Sequence, residues 1–162
     1  MRDRQVGFAY LLLLFLVALL AISVLAVGSL EYYAGTRSDE AELLRIGGEF
    51  RRALASYHSA MEPRIYPATL GELVNDRRSG VLRRHLRKIY VDPVTHSSDW
   101  GLLIEAGSII GVYSKSKRKP LKVAGFSPDD TAFEGAEHYS EWVFSPVKLV
   151  PAAGSITPPP RR

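Results

Sequence analysis

From Phe8 to Leu30 the chain carries no charged side chain, and Leu, Ile, Val, Phe and Ala fill most of the run. A helix rises about 1.5 Å per residue, so some twenty such residues match the roughly 30 Å hydrocarbon thickness of a bilayer. A small water-soluble domain cannot enclose a helix that is apolar on every side. The run therefore predicts a membrane-spanning helix, around which everything else must be arranged. Arg2 and Arg4 precede it, Glu31 follows it, and Tyr10, Tyr32 and Tyr33 lie near its ends. That order of cations and interfacial aromatics predicts a cytoplasmic amino terminus and a body outside the cytoplasm.

A removable signal peptide is the competing reading, because "MRDRQ" is a basic start and Ala26-Val27-Gly28 is a tolerable small-x-small cleavage site. Two features weigh against it. The apolar run exceeds the usual stretch of about 7–15 residues, and helical patterning continues past the cleavage site. Leu43, Ile46, Phe50, Leu54, Tyr57 and Met61 recur at intervals of three or four, which predicts an amphipathic helix. Glu42 with Arg45 and Glu49 with Arg52 fall on its other face as supporting ion pairs. Gly35 and Gly47-Gly48 weaken the run and are places where it would bend.

A short charged leader ending in Gly, then Phe, then an apolar helix flowing into an amphipathic one, resembles the type IV pilins and type II secretion pseudopilins. The stretch that carries the likeness is "RQVGFAYLLLLFLVALL". The resemblance implies cleavage between Gly7 and Phe8 by a prepilin peptidase, methylation of Phe8, and a helix that stays in the membrane until the subunit is assembled. Physically, the leader's charges would otherwise be drawn into the apolar centre of a helical filament. One position departs from the family: where an acid usually stands at the fifth residue after the cut, this chain has Leu12. A buried amino terminus left without that partner is unfavourable. The departure implies a place at an end of an assembly, or a subunit that does not polymerise.

Pro63 and Pro67 end the long helix, and Thr69 is placed to cap a short one over "LGELV". The order Tyr66-Pro67, Leu70, then Asp92-Pro93, then Trp100-Gly101 is similar to the major pseudopilins, in which such segments join the long helix to a small antiparallel sheet. These residues read as structural, with Trp100 packing on the helix. Two apolar runs, Leu102 to Ile104 and Ile109 to Tyr113, flank Ala106-Gly107 as a hairpin. "SPDDTAFEGAEHY" has the cap residue, proline and acids of a short helix start, and "EWVFSPV" reads as a last strand. The expected fold is α+β and pilin-like: leader 1–7, transmembrane helix 8–30, amphipathic helix 31–62, small α+β domain 63–148, and a disordered Pro-rich tail 149–162.

The chain of 162 residues contains no cysteine, which excludes disulfides, thiol catalysis and thiolate metal sites. Its net charge of +4 with both signs mixed does not mark a nucleic-acid binder as a whole. Locally, Arg77, Arg78, Arg83, Arg84, Arg87 and Lys88 make a dense basic face. It reads either as a surface for an anionic partner such as a lipid headgroup, or as a solvated loop paired to acids of a neighbouring subunit. Aromatic interleaving is thin, so nucleic acid is not expected. The four histidines are scattered without metal-ligand spacing. Asp92, Thr95, Ser97, Ser98 and Asp99 offer oxygen donors that would admit calcium, although an Asp- and Ser-stabilised turn explains them more simply. No P-loop, G-x-S-x-G or G-x-G-x-x-G occurs, so neither an enzyme nor a cofactor is expected. The resemblance implies a minor or atypical, single-pass pseudopilin-like subunit of a bacterial inner membrane with a periplasmic domain. Its partners would be other subunits, membrane lipid and the processing peptidase. The rival expectation is an anchored periplasmic binding module that uses the basic face.

Overall fold

Helical periodicity through the first third of the chain produces one element, α1 (Asp3–Ser59). The computed structural model describes the backbone of residues 3–147 and the side chains of residues 9–20 and 34–147. The tail 149–162 and the side chains of Gly7 and Phe8 lie outside those described residues. The chain divides into two compact units, residues 1–38 and residues 39–162.

In the first unit every described side chain from Ala9 to Leu20 is exposed. The large apolar ones from Leu11 to Leu20 keep between 49% and 65% of their surface open. Among the described residues no helix is long and apolar enough to cross a membrane. Residues 21–30 of the expected transmembrane helix have side chains outside the described set. The transmembrane half of the expected fold is therefore not shown.

The second unit is mixed α+β. Leu43, Ile46, Phe50, Leu54 and Tyr57 form a stripe on α1 of which no member is more than 3% exposed. Glu42–Arg45 at 2.7 Å and Arg52–Glu49 at 2.8 Å line the solvated side. The paired glycines do not break α1. Gly47 instead lets the Phe144 ring lie flush on the helix, where any Cβ would collide with it, while Gly48 faces open space.

After α1, the short α2 (Leu70–Val74) begins at Thr69. Thr69 does not cap it in the usual way: its hydroxyl donates to Glu72 at 3.2 Å. Glu72 is also the acceptor for the Tyr57 hydroxyl at 2.6 Å, which ties α2 to α1. The hairpin pairs β1 (Gly101–Glu105) with β2 (Ser108–Tyr113) in antiparallel register. Ala106 and Gly107 both take positive φ, 47° and 79°, as a two-residue turn matching the strand twist requires. A register shift after Leu103 leaves Ile110 as a bulge, whose carbonyl accepts the Ser145 hydroxyl at 2.6 Å.

Two expected elements come out smaller. The last strand reduces to a single bridge between Val112 and Phe144, because Pro146 lacks the N–H that a longer ladder would need. The helix after Ser127 reduces to a 3-10 turn at Thr131–Phe133. Gly135 at φ 78° turns the chain away one residue beyond Glu134, leaving no room for a full helical turn. A second 3-10 turn covers Tyr139–Glu141. Phe133, Trp142 and Phe126 pack there, the first two stacked at 5.5 Å.

Two buried polar nodes fasten this segment along α1. Glu40 accepts hydrogen bonds from the Leu121 and Lys122 amides and, at 3.0 Å, from the Tyr139 hydroxyl. Arg51 pairs with Asp130 at 2.6 Å and donates to the Ser145 carbonyl at 3.2 Å.

The adjacent glycines should respond with opposite sign. Gly47→Ala is expected to destabilise by about 2 kcal/mol through overpacking against Phe144. Gly48→Ala should stabilise by roughly 0.5–1 kcal/mol through helix propensity. Urea unfolding of the full chain in detergent measures both, and equal effects would contradict the Phe144 packing.

Candidate functional site

The loop after α2 closes on itself. Asp76 and Arg83 exchange two backbone hydrogen bonds, of 2.9 and 2.8 Å. Gly80 makes the turn between them with φ 77°. The Leu73 carbonyl accepts the amides of both His85 and Leu86 at 2.8 Å, and the Leu86 side chain is buried as the loop's apolar foot. This geometry drives two functional groups inward and leaves several cations outside.

The inward pair is Asp76 and His85. The Asp76 carboxylate, 4% exposed, accepts from the Arg78 amide at 3.0 Å and from the Arg78 guanidinium at 3.0 and 2.9 Å. His85 Nε2 lies 3.1 Å from it. The Arg78 hydrogen bonds, with His85 adding to them, hold the Asp76 carboxyl well below the usual carboxylate range despite burial. The same bond raises Arg78. The Arg78 guanidinium lies 3.5 Å over the Tyr57 ring and donates to the Tyr57 carbonyl at 2.8 Å, neutralising the C-terminal turn of α1. Burial, followed by the bond to Glu72, pushes the Tyr57 hydroxyl up to about 12.

Arg78 is accordingly a correction to the expected basic face. Its charge is engaged beneath the loop, because a buried carboxylate two residues away needs a fixed counter-charge. Arg77, Arg83, Arg84, Arg87 and Lys88 remain exposed. Arg77 reaches Asn75 at 3.2 Å and Arg83 reaches the Ala60 carbonyl at 3.4 Å. Lys88 and Arg45 both lie 5.5 Å from the centre of the Tyr90 ring. Between these cations Val81, Leu82, Ile89 and Val91 are exposed as well. The surface can therefore engage a partner that is both anionic and apolar.

Ser56, His85 and Asp76 form a continuous hydrogen-bonded chain, with Ser56 Oγ 2.8 Å from His85 Nδ1. The His85 ring thus bridges the Ser56 hydroxyl at Nδ1 and the Asp76 carboxylate at Nε2. Sequence reasoning gave no reason to group these three, which are separated by up to 29 positions. Ser56 lies within α1, whose amides around it are taken up by the helix and offer no oxyanion pair. The chain of bonds ties the loop to the end of α1.

The other sequence-selected residues are brought together as scaffold. Tyr66 stacks on His58 at 4.4 Å, and its hydroxyl is raised by burial. Pro67 is buried and its carbonyl accepts the Ile109 amide at 2.7 Å. Asp92 is fully buried and accepts from the Val94 amide, Thr95 Oγ1 and Ser114 Oγ at 2.6–2.9 Å, while Pro93 continues that turn. Trp100 meets Phe50 edge-on at 5.1 Å and donates to the Tyr90 carbonyl, and Gly101 leaves room for the Tyr113 ring. Asp99 turns instead to Lys115 at 2.6 Å. The two carboxylates of this loop, whose oxygens would admit calcium, have separate partners, and among the described residues no group of three or more His, Cys, Asp or Glu is placed to hold a metal ion.

Compared with protein-family models, curated proteins and solved structures, the chain matches none of them.

Asp76 sets an acid limit on stability. Its folded pKa lies below the unfolded value of about 3.9, so its contribution is full above that value and is lost as pH falls below it. Asp76→Asn should cost about 3 kcal/mol at neutral pH by leaving Arg78 unpaired. It should also flatten the fall in stability below about pH 4. Urea titrations at stepped pH test this, and an unchanged acid limb would count against the node.

Proposed function

We propose that the chain is a pseudopilin-like structural subunit of a type II secretion or type IV pilus-type assembly. In this reading it spans the inner membrane once, with residues 39–147 in the periplasm. The observation that carries the proposal is that α1 has two kinds of surface. From Ala9 to Leu20 it is apolar and exposed all round, whereas from Leu43 to Tyr57 it buries one stripe beneath its own domain. About ten large apolar side chains left in water would cost on the order of 20 kcal/mol, more than the net stability of a small domain. Such a helix requires lipid around it, or the apolar helices of neighbouring subunits.

The Gly7-Phe8 junction supports processing by a prepilin peptidase, which would remove the charges of Arg2, Asp3 and Arg4 before the helix leaves the bilayer. The activity is assembly: lateral association of apolar helices, with the domain turned towards neighbours or a secreted cargo. Leu12 in place of the family's acid supports a minor or terminal position. It also favours a second reading, an anchored periplasmic binding module whose basic loop holds an anionic partner without entering a filament.

The first test is the mass and amino-terminal sequence of the protein from native membranes, with and without the host's prepilin peptidase. The expected chain begins at Phe8, methylated, and only when the peptidase is present. A chain beginning at Met1 would support the anchored module instead, and one beginning near Ser29 would make the opening run a signal peptide.

A further inference from the structure

The loop after α2 ends in an aliphatic tip set between cations. It runs Arg77-Arg78-Ser79-Gly80-Val81-Leu82-Arg83-Arg84, and no Asp or Glu occurs from 77 to 91. Val81 keeps 69% of its surface open, more than any described side chain of the apolar run, where Leu11 reaches 65%. Leu82 keeps 48%. The tip is fixed in place: the Gly80 amide donates to the Arg77 carbonyl at 3.0 Å and the Ser79 hydroxyl to the Val81 carbonyl at 3.2 Å, beyond the paired backbone bonds of Asp76 and Arg83. Of the aliphatic residues from 77 to 91, Leu86 alone is buried, and Val81, Leu82, Ile89 and Val91 are exposed.

The cations around the tip are unopposed. Among the described residues none of Arg77, Arg83, Arg84, Arg87 and Lys88 pairs with a carboxylate. The acids of adjoining segments are taken: Asp76 by Arg78, Glu62 by Arg64 at 2.8 Å, and Glu72 by the Tyr57 and Thr69 hydroxyls. The other exposed run of cations, Lys117 to Lys119, is placed differently. There the Arg118 carbonyl accepts the Tyr139 amide at 3.2 Å and the Ser116 carbonyl accepts the Ser140 amide at 3.1 Å, which sets those cations beside the exposed Glu137 and Glu141. Loop 77–91 instead joins unopposed positive charge to open aliphatic side chains. That combination matches the boundary of a bilayer, where cations meet phosphates and aliphatic side chains enter the edge of the acyl region.

We infer that loop 77–91 docks on the surface of an anionic phospholipid bilayer, with Val81 and Leu82 entering beneath the headgroups and Arg83, Arg84, Arg87 and Lys88 facing lipid phosphates. The inference rests on the second reading above, a basic loop that holds an anionic partner, and names that partner. The bilayer is a second one, distinct from that which holds the apolar run. The run lies in the amino-terminal half of α1, whereas the loop is tied at Ser56, Tyr57 and Ala60, at and just beyond its carboxy-terminal end. A chain with both elements links two membranes.

The full chain, held in nanodiscs of phosphatidylcholine, is mixed with vesicles of phosphatidylcholine alone or with added phosphatidylglycerol, and the vesicles are floated. Binding to the anionic vesicles should exceed binding to the neutral ones by about tenfold, since each Lys or Arg near such a surface adds to the attraction, and should fall as salt screens the charges. R84E with R87E should abolish the excess, whereas K117E with K119E should leave it unchanged. V81S with L82S should weaken binding by about tenfold through lost apolar burial. Equal binding to both vesicles overturns the inference, as does indifference to R84E with R87E or to V81S with L82S. The chain has no cysteine, so S79C takes a single environment-sensitive dye at the tip. Its emission should shift to the blue when anionic vesicles are added. A full shift in nanodiscs that themselves contain phosphatidylglycerol, with no vesicles present, overturns the second bilayer. A polyglutamate peptide with interspersed leucines separates the inference from the reading beneath it. If R84E with R87E releases the peptide and anionic vesicles are not bound, the lipid inference falls while the binding-module reading stands; if neither probe is bound, both fall.

Discussion

Everything in the second unit depends on the buried stripe of α1. A two-stranded hairpin cannot bury a core of its own, and here it is stabilised from both sides. One side is covered by the stripe through Phe50 and Trp100, and β2 is bridged at Val112 to the segment carrying Phe144. That segment in turn reaches α1 because Gly47 leaves a flat place for the Phe144 ring. The rest of the domain is irregular chain, and its order comes from where each piece touches the helix. Without α1 there would be no surface large enough to collapse upon.

Polar contacts then decide which irregular path is taken. Glu40, Arg51 and the Asp76–Arg78–His85 group are each buried or nearly so, and each reaches across the chain to a different segment. A buried charge with satisfied partners is a poor source of net stability, but a misplaced one is strongly unfavourable. Such nodes therefore act against alternative packings. They also explain why the loop 77–88 presents its cations so consistently outward. With Asp76 committed to Arg78, no acid remains in the loop to fold the other guanidiniums back.

Periodicity made the long helix legible through five of the six stripe positions, Leu43, Ile46, Phe50, Leu54 and Tyr57, since their spacing is a local property; Met61 falls beyond the end of α1 at Ser59 and is only half-buried. The hairpin was legible for the same reason, through Ala106-Gly107 between two apolar runs. The helix after Ser127 and the last strand were over-read, because capping residues and apolar runs signal a start but not a length. In both places a single backbone constraint, at Gly135 or Pro146, cut the element short. The inward charges were not legible at all. Nothing about Glu40, Ser56 or Asp76 distinguishes them from solvated neighbours until distant segments arrive, and Arg78 looked like any other member of its basic run.

The separation between the partners has a consequence for synthesis. Glu40 meets Tyr139 across 99 positions, Arg51 meets the Ser145 carbonyl across 94 and Asp130 across 79. A nascent chain displays the stripe of α1 long before the residues that cover it have left the ribosome. Contacts so remote in sequence close slowly, and an apolar surface left waiting is prone to the wrong partner. The domain can finish folding only after nearly all of it has been made, so the interval between emergence of the helix and arrival of Tyr139 is when this protein is most exposed to misassembly.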